Sequence, residues 1–373
     1  MSAANVVHLG VKELRSMLRD PIMDVLIVYV FTVAIYAFAT AIPDTLHKAP
    51  LAIVDEDRSQ LSAELADAFY PPLFLKPRIT TLAEMDARMD AGADTFALLI
   101  PPGFQRDVLA GRSPGLLLNV DATRMTQAFA GSGYIQEIVN GEIRAFVQRH
   151  RSVAAYPADL AMRVRFNPQA NKSWFSAVME LINNITLLSI ALTGAALIRE
   201  REHGTVEHLL VMPVTPFEIM AGKVWSMALV VLVGSVLSLL LVVHGVIGVP
   251  IEGSIPLFVT GTALHLFATT ALGIFLGTVA RSMPQFGLLL MLVLLPLEIL
   301  SGSVTPRESM PAFVQVIMLA APTTHFVLLA QAILYRGAGF AVVWPQFAAL
   351  AVIGTILFAL ALARFRKTIA TMV

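Results

Sequence analysis

The chain has 373 residues, of which 57% are hydrophobic and 14% charged, and its mean hydropathy is +0.74. So apolar a composition at this length excludes an ordinary soluble domain and points to a polytopic membrane protein. The 26 basic and 26 acidic residues balance, which argues against a nucleic-acid partner, and the lack of cysteine excludes disulfides, thiolate metal sites and thiol catalysis.

Residues 5–20 (NVVHLGVKELRSMLRD) place Val7, Val11, Leu14 and Leu18 on one helical face and Lys12, Arg15 and Arg19 on another. That is the pattern of a helix lying in the membrane interface with its cations toward anionic lipid headgroups. Pro21 permits a new helix start, and residues 22–42 are apolar for the length of one span. The cations ahead of the span set the amino terminus inside the cell. Ala37-Phe38-Ala39 also has the form of a signal-peptide cleavage site. The apolar run is longer than a signal core and its charged lead-in is long, so the segment reads as a retained anchor.

From 43 to 173 the character changes to alternating short strands and helices. Strands are predicted at 51–54, 96–100 and 115–121, a further extended stretch at 75–79, and helices at 60–70, 82–89, 104–109 and 127–151. This alternation predicts a compact α/β domain, and its place after a span that starts inside makes it extracytoplasmic. Its acids Asp55, Glu56, Asp57, Asp94 and Asp121 accompany no catalytic motif; the DED run after a strand reads as a capping turn, and the domain as a binding and docking module.

Five more spans are predicted at 177–198, 224–247, 255–279, 285–304 and 344–363, six in all, with Trp174 at an interface position. Arg199, Arg201, Lys223, Arg281, Arg364, Arg366 and Lys367 then all fall on the inner side. Residues 306–335 are apolar but interrupted by Pro311 and Pro322, which suits two re-entrant half-helices packed against protein before the last span. The expected layout is an interface helix at 1–21, a first transmembrane helix at 22–42, the α/β domain at 43–173 and a five-helix transmembrane domain at 174–373.

Polar groups inside the apolar runs are Asp24, Glu180, Asn183, Asn184, His265, Glu298 and His325. A charge at mid-bilayer costs about 2.5 to 3.5 kcal/mol on insertion scales, so each needs a partner or a wet cavity. Glu180, Asn183, Asn184, His265, Glu298 and His325 are candidates for a substrate path or proton relay, or for interhelical hydrogen bonds; Glu298 and His265 are read as the most deeply placed. Gly273 and Gly277 make a G-x-x-x-G pair that serves intrachain packing or a dimer seam, and the 16 methionines suit either a pathway for varied apolar compounds or ordinary packing. No phosphate-binding loop occurs, since Phe217 and Val224 stand where Gly222-Lys223 would need a glycine before and a hydroxyl after. The chain by itself is therefore expected to have no ATPase activity.

Four consecutive charges, Arg199, Glu200, Arg201 and Glu202, bring the chain out of the bilayer after the second span. Gly204 breaks the helix, and Thr205, Val206, Leu209 and Leu210 give a short amphipathic helix that ends before Pro213. The order Arg199, Glu200, Arg201, Glu202, Gly204, Thr205, Glu207, Leu209, Leu210, Pro213, Glu218, Gly222 and Lys223 resembles the first cytoplasmic loop of bacterial ABC-2 type permeases. The KELRSMLRDP segment, the NP and WF before the second span, and Ser301-Gly302, Pro306, Glu308, Met310-Pro311, Gln315, Pro322 and Phe326 resemble the same family, which the α/β domain matches least.

The resemblance implies a mainly α-helical membrane protein of six transmembrane helices, like a type V ABC exporter. It also implies an inner-membrane location with both termini cytoplasmic, and a coupling loop at 199–223 that meets a separate ABC ATPase. ATP and Mg would be bound on that ATPase and no cofactor by this chain. Glu202 and Glu207 would engage basic groups on the ATPase, and Arg199 and Arg201 would fix the loop to headgroups or to the amino-terminal helix. A second permease chain, identical or paralogous, would complete the path. The large extracytoplasmic domain is similar to that of drug exporters that work with a periplasmic adaptor and an outer-membrane channel. A proton-coupled carrier and a membrane-anchored ligand sensor are the competing readings; the first leaves the coupling loop unexplained and the second lacks a cytoplasmic output domain.

Overall fold

The computed structural model describes residues 2–41, 46, 48–121, 125–150, 171–202, 214–305 and 307–370. The chain divides into two compact units, Met1–Ile42 with Val164–Val373, and Pro43–Arg163. The first unit opens with α1 (Ala3–Met17) and α2 (Pro21–Thr40). Asp20 caps α2 by accepting the Met23 N–H at 3.3 Å, and Pro21 stands where no N–H is needed. Midway, α2 widens into a π-turn over Val30–Ala34.

The second unit contains β1 (Leu51–Asp55), α3 (Gln60–Asp67), β2 (Arg78–Ile79), α4 (Leu82–Asp90), β3 (Phe96–Ile100), α5 (Phe104–Leu109), β4 (Leu117–Val120) and α6 (Met125–His150). The sheet order is β2-β1-β3-β4, with β1 parallel to both β2 and β3 and β4 antiparallel to β3. Side chains alternate across the sheet. Leu51, Ile53, Phe96, Leu98 and Ile100 pack with Leu61, Leu65, Phe104, Ile135 and Phe146 of α3, α5 and α6, while Ala52, Val54 and Ala97 pack on Met85 of α4. Burial on both faces explains why LAIV and FALLI read as unbroken apolar runs.

The acids of this unit hold its turns. Asp55 Oδ1 accepts the N–H groups of Asp57 and Arg58 at 3.0 and 2.9 Å, and Asp94 receives both Nε and Nη2 of Arg88 at 2.6 and 2.9 Å. Asp57 Oδ2 accepts the Gln105 N–H at 3.0 Å and so caps α5, whose preceding Gly103 has no side chain to do so. Burial works against the Asp57 charge, but bonds from Ser59 and from the N–H groups of Gln105, Gly103 and Phe104 prevail and lower its pKa. Among the described residues no group of His, Cys, Asp or Glu could hold a metal ion.

The first unit resumes with α7 (Lys172–Glu202), α8 (Pro216–Val246), α9 (Ile255–Val279), α10 (Met283–Ile299), α11 (Ala312–Met318), α12 (Pro322–Leu334) and α13 (Phe340–Ala370). Five described helices, α2, α7, α8, α9 and α13, are long and apolar enough to cross a bilayer; α10 has 17 residues, and α11 and α12 meet at a bend of 89°. Of the six spans expected, five are therefore represented by full-length described helices, and the stretch expected as the fifth span forms the shorter α10. The most enclosed is α7, which lies against α9 at small residues: a Cβ at Gly273 would stand 2.6 Å from the Ile190 carbonyl, and one at Gly277 3.1 Å from that of Gly194. The two glycines of the G-x-x-x-G pair therefore serve contact within the chain.

Contacts at the helix ends fix their directions. At one end Arg201 donates to the Ala280 carbonyl, Glu202 accepts the Met283 N–H at 2.9 Å, and Leu197, Ile219 and Phe365 pack together. At the other, the Tyr335 hydroxyl donates to the Trp174 carbonyl at 3.2 Å and the Glu252 N–H to the Leu334 carbonyl at 3.1 Å. Helices α2, α7, α8, α9 and α10 therefore alternate in direction, α13 runs parallel to α9, and Arg199, Arg201, Lys223 and Arg281 gather at one end.

Gly273→Leu, which has no room beside Ile190, is expected to cost about 1 to 3 kcal/mol or more and to lower the melting temperature of the detergent-solubilised chain. Asp57→Ala is expected to remove about 1 kcal/mol from the α5 cap. Because the folded pKa is depressed, that contribution is complete above the unfolded carboxyl range and disappears as pH falls through the folded value. Hydrogen exchange at Phe104 and Gln105 should therefore separate variant from wild type at pH 7 and not in strong acid.

Candidate functional site

The charged end is built where α1 crosses α8. A Cβ at Gly10 would meet the Trp225 ring at 2.2 Å, and one at Gly222 would meet Leu9 Cβ at 2.9 Å, so both glycines are needed for the approach. The Trp225 indole N–H donates to the Val6 carbonyl at 3.0 Å. The face of α1 turned inward is Gly10, Glu13 and Met17, with Val6 and Leu9 partly covered. Val7 and Leu18, read from the sequence as part of the apolar face of an interface helix, are 52% and 68% exposed and so do not form the face that packs on the protein.

Under that face lies a cluster of four charges. Lys223 Nζ, with its side chain 2% exposed, stands 3.1 Å from Glu13 Oε1 and 2.8 Å from Glu200 Oε2. Lys223 makes these contacts by charge, at angles outside those of a regular hydrogen bond. Lys12 Nζ donates to Glu200 Oε1 at 3.0 Å and reaches Glu13 at 3.5 Å. Burial pushes the Glu13 carboxyl above its usual range, against the pull of Lys223. For Lys12 burial works downward, but Glu200 and Glu13 outweigh it and raise its pKa. Beside the cluster Arg199 Nη1 donates to Asp20 Oδ2 at 3.0 Å. The Met23 N–H and then Arg199 hold the Asp20 pKa low.

Glu218 completes the junction. It closes a capping box with Thr215 at the start of α8 and also accepts the Ser2 N–H at 2.7 Å, which ties the beginning of α1 to the beginning of α8. Of the expected coupling residues, Arg199, Glu200, Arg201, Glu202, Glu218 and Lys223 are therefore all anchored. Gly204, Thr205, Glu207, Leu209, Leu210 and Pro213 lie outside the described residues. The sequence reading missed Glu13 and the pairing of Lys12, which it turned toward headgroups; an acid spaced with Gly10 and Met17 on one helical face was the available signal.

The polar groups within the spans are spread over several contacts. His265 is fully buried, stacked on Phe326 at 4.1 Å between centroids, with Nε2 2.9 Å from Thr186 Oγ1. Ser189 donates to Thr269 at 2.7 Å in the next layer of the α7–α9 seam. Asn184 donates to the Val30 carbonyl at 3.0 Å and Ser238 to that of Phe31 at 2.5 Å, so the π-turn of α2 supplies acceptors to α7 and α8. Glu298 is only half-buried, one residue from the end of α10, which corrects its reading as deeply placed. Glu180 and Asn183 are half-buried, and His325 Nε2 lies 2.9 Å from the Leu319 carbonyl across the α11–α12 bend.

A bundle of antiparallel apolar helices that share a charged end defines a multi-pass membrane protein. The profile described as ABC-2 family transporter protein matches residues 22–363. The chain is 64% identical over 368 residues to the inner membrane transport permease YhhJ of Escherichia coli K12, covering 99% of this chain and 98% of that one. It is 27% identical over 365 residues to the probable multidrug ABC transporter permease YbhR of the same organism, covering 96% and 97%. It is 25% identical over 342 residues to the probable multidrug ABC transporter permease YbhS, covering 90% of each. The chain belongs to the ABC-2 family: it is an inner-membrane permease, the membrane subunit of an ABC transporter and not a catalytic chain.

Lys223→Met should leave Glu13 and Glu200 with Lys12 alone and destabilise the chain by about 3 to 5 kcal/mol, as breaking a buried pair does. Adding Glu13→Gln to that variant removes the surplus acid and should recover part of the loss. Thermal unfolding of both variants in one detergent tests this, and an unaltered melting temperature for Lys223→Met would show that Gly10 and Trp225 hold α1 unaided.

Proposed function

We propose that this permease works in an exporter that moves hydrophobic or amphipathic compounds, drug-like molecules or lipids, out of the cytoplasm or inner membrane. A separate ABC ATPase subunit, which holds ATP and Mg, drives it. The observation that carries the reading is the double fastening of the loop at 199–223. Its entry is tied through Glu200 and Arg199, and its exit through Lys223 and Glu218, to α1, Asp20 and Ser2. A push on residues 203–213 then acts on α1, α7 and α8 together instead of being lost in a slack loop. The names of two relatives as probable multidrug permeases support the substrate class.

In this reading the charged end and both termini are cytoplasmic, by the positive-inside rule. With α10 crossing as a sixth span and α11–α12 re-entering from the far side, the chain returns to the charged end through α13. The α/β unit is then extracytoplasmic, where it would meet an adaptor that leads to an outer-membrane channel. A second permease chain closes the path. The proton-relay alternative loses ground because, among the described residues, His265 meets a hydroxyl and an aromatic face instead of a carboxylate.

Affinity purification of the chain from its native membrane in mild detergent should retain an ATP-hydrolysing protein, and Glu207→Lys should lose it or its stimulation. Normal export by Glu207→Lys, or no retained ATPase across several detergents, would overturn the proposal.

A further inference from the structure

A cavity of about 280 Å³ opens beside the charge cluster, at the foot of α1, α2 and α7. It is below the 300 to 1,000 Å³ usual for drug-sized ligands, which makes it a place for one small polar group and the first part of a chain. The apolar wall is Met17, Met23, Leu192 and Met227, three of them side chains that adapt to irregular shapes. Its charged wall is Lys12, Glu13, Asp20, Arg199 and Glu200, two cations and three acids. The cations are the accessible members, with side chains 49% and 44% exposed, against 27% for Asp20 and 10% for Glu13.

Depth in the membrane follows from helix length. The first span runs Pro21–Thr40, 20 residues, or about 30 Å of helix, which fills the hydrocarbon core. Asp20, immediately before it, therefore lies at headgroup level, and Met23 and Leu192 lie on the hydrocarbon side of it. A ligand that fits must be polar at one end and apolar at the other.

The balance of charge selects the headgroup. Counting Lys223, which stands against Glu13 and Glu200, the acids and cations around the cavity balance at three each, so a purely anionic headgroup or a simple organic cation would leave an unmatched charge there. A group bearing both signs meets neither objection. We propose that this cavity binds the zwitterionic headgroup of a membrane phospholipid of the phosphoethanolamine class. The phosphate is held by Lys12 and Arg199, the ammonium by Asp20 and Glu13, and the start of an acyl chain lies along Met17, Met23 and Met227. Such a lipid is a third element in the junction of α1 with α7 and α8, beside the ion pairs and the glycine contact of α1 with α8. The site depends on the bilayer placement of the helices and not on the identity of the motor or the cargo.

The test uses the full chain in nanodiscs of equal phosphatidylethanolamine and phosphatidylglycerol, extracted into mild detergent, with retained lipids counted by native mass spectrometry. The wild type should keep one phosphatidylethanolamine per chain in preference to phosphatidylglycerol. Ala196→Phe, which fills the cavity and leaves every ion pair in place, should lose that lipid while its melting temperature stays near wild type. Asp20→Asn keeps the helix cap but removes an acid, and should lower the preference for phosphatidylethanolamine about tenfold, the worth of one charge-assisted contact. Equal retention of both lipids by the wild type, retention of the lipid by Ala196→Phe, an Asp20→Asn preference equal to wild type, or displacement of the lipid by inorganic phosphate alone would each overturn the proposal. An unfolded Ala196→Phe leaves the decision to the Asp20→Asn preference.

Discussion

A single ammonium group, Lys223 Nζ, sits between the carboxylates of Glu13 and Glu200 with almost no access to solvent. Desolvating three charges is costly, and the arrangement persists only because each opposite sign is within contact distance and Lys12 offsets the surplus acid. The consequence is positional. Glu13 belongs to α1, Glu200 to the last turn of α7 and Lys223 to the third turn of α8, so these helix ends cannot drift apart without stranding a buried charge. The Gly10–Trp225 and Gly222–Leu9 contacts bring the backbones close enough for the cluster to form, and the capping box of Glu218 and Thr215 sets where α8 begins.

Within the bilayer a different economy holds. Lipid is as apolar as leucine, so the helices gain little by hiding hydrophobic surface from it and are joined instead by close backbone approach and by hydroxyl and amide bonds. The α7–α9 seam has both: Gly194, Gly273 and Gly277 let the backbones touch, and Thr186 with His265 and Ser189 with Thr269 bond across. Individual bonds of this kind contribute about 0.6 kcal/mol on average, so the seam depends on their number and on the packing around them.

The same solvent explains what the sequence made legible. Span positions could be read because length and hydropathy alone decide them, and the strands of the α/β unit because burial on both faces leaves a continuous apolar run. The gathering of Arg199, Arg201, Lys223 and Arg281 at one end followed from the alternation of helix direction. The orientation of α1 was not legible by the usual rule. In water the most apolar stripe turns inward, but beside lipid Val7 and Leu18 can stay outside while Gly10 and a buried glutamate face the protein. The depth of Glu298 was misread for a related reason: an apolar run predicted to 304 ends its helix at Ile299.

The π-turn of α2 bears on how its buried stripe is spaced. Met23, Ile27, Phe31, Ile35 and Ala39 recur at intervals of four, and all pack into the core of the first unit. In a regular α-helix an interval of four overshoots a full turn by about 40°, so four such steps would carry Ala39 most of the way to the opposite face. The wider turn over Val30–Ala34 takes up part of that drift. Rewinding that turn as regular α-helix with no residue lost would swing Ile35 and Ala39 toward lipid, whereas deleting one outward residue, such as Val33, would even the winding and leave both facing the core. The far half of this helix is held in phase by a turn that absorbs one surplus residue.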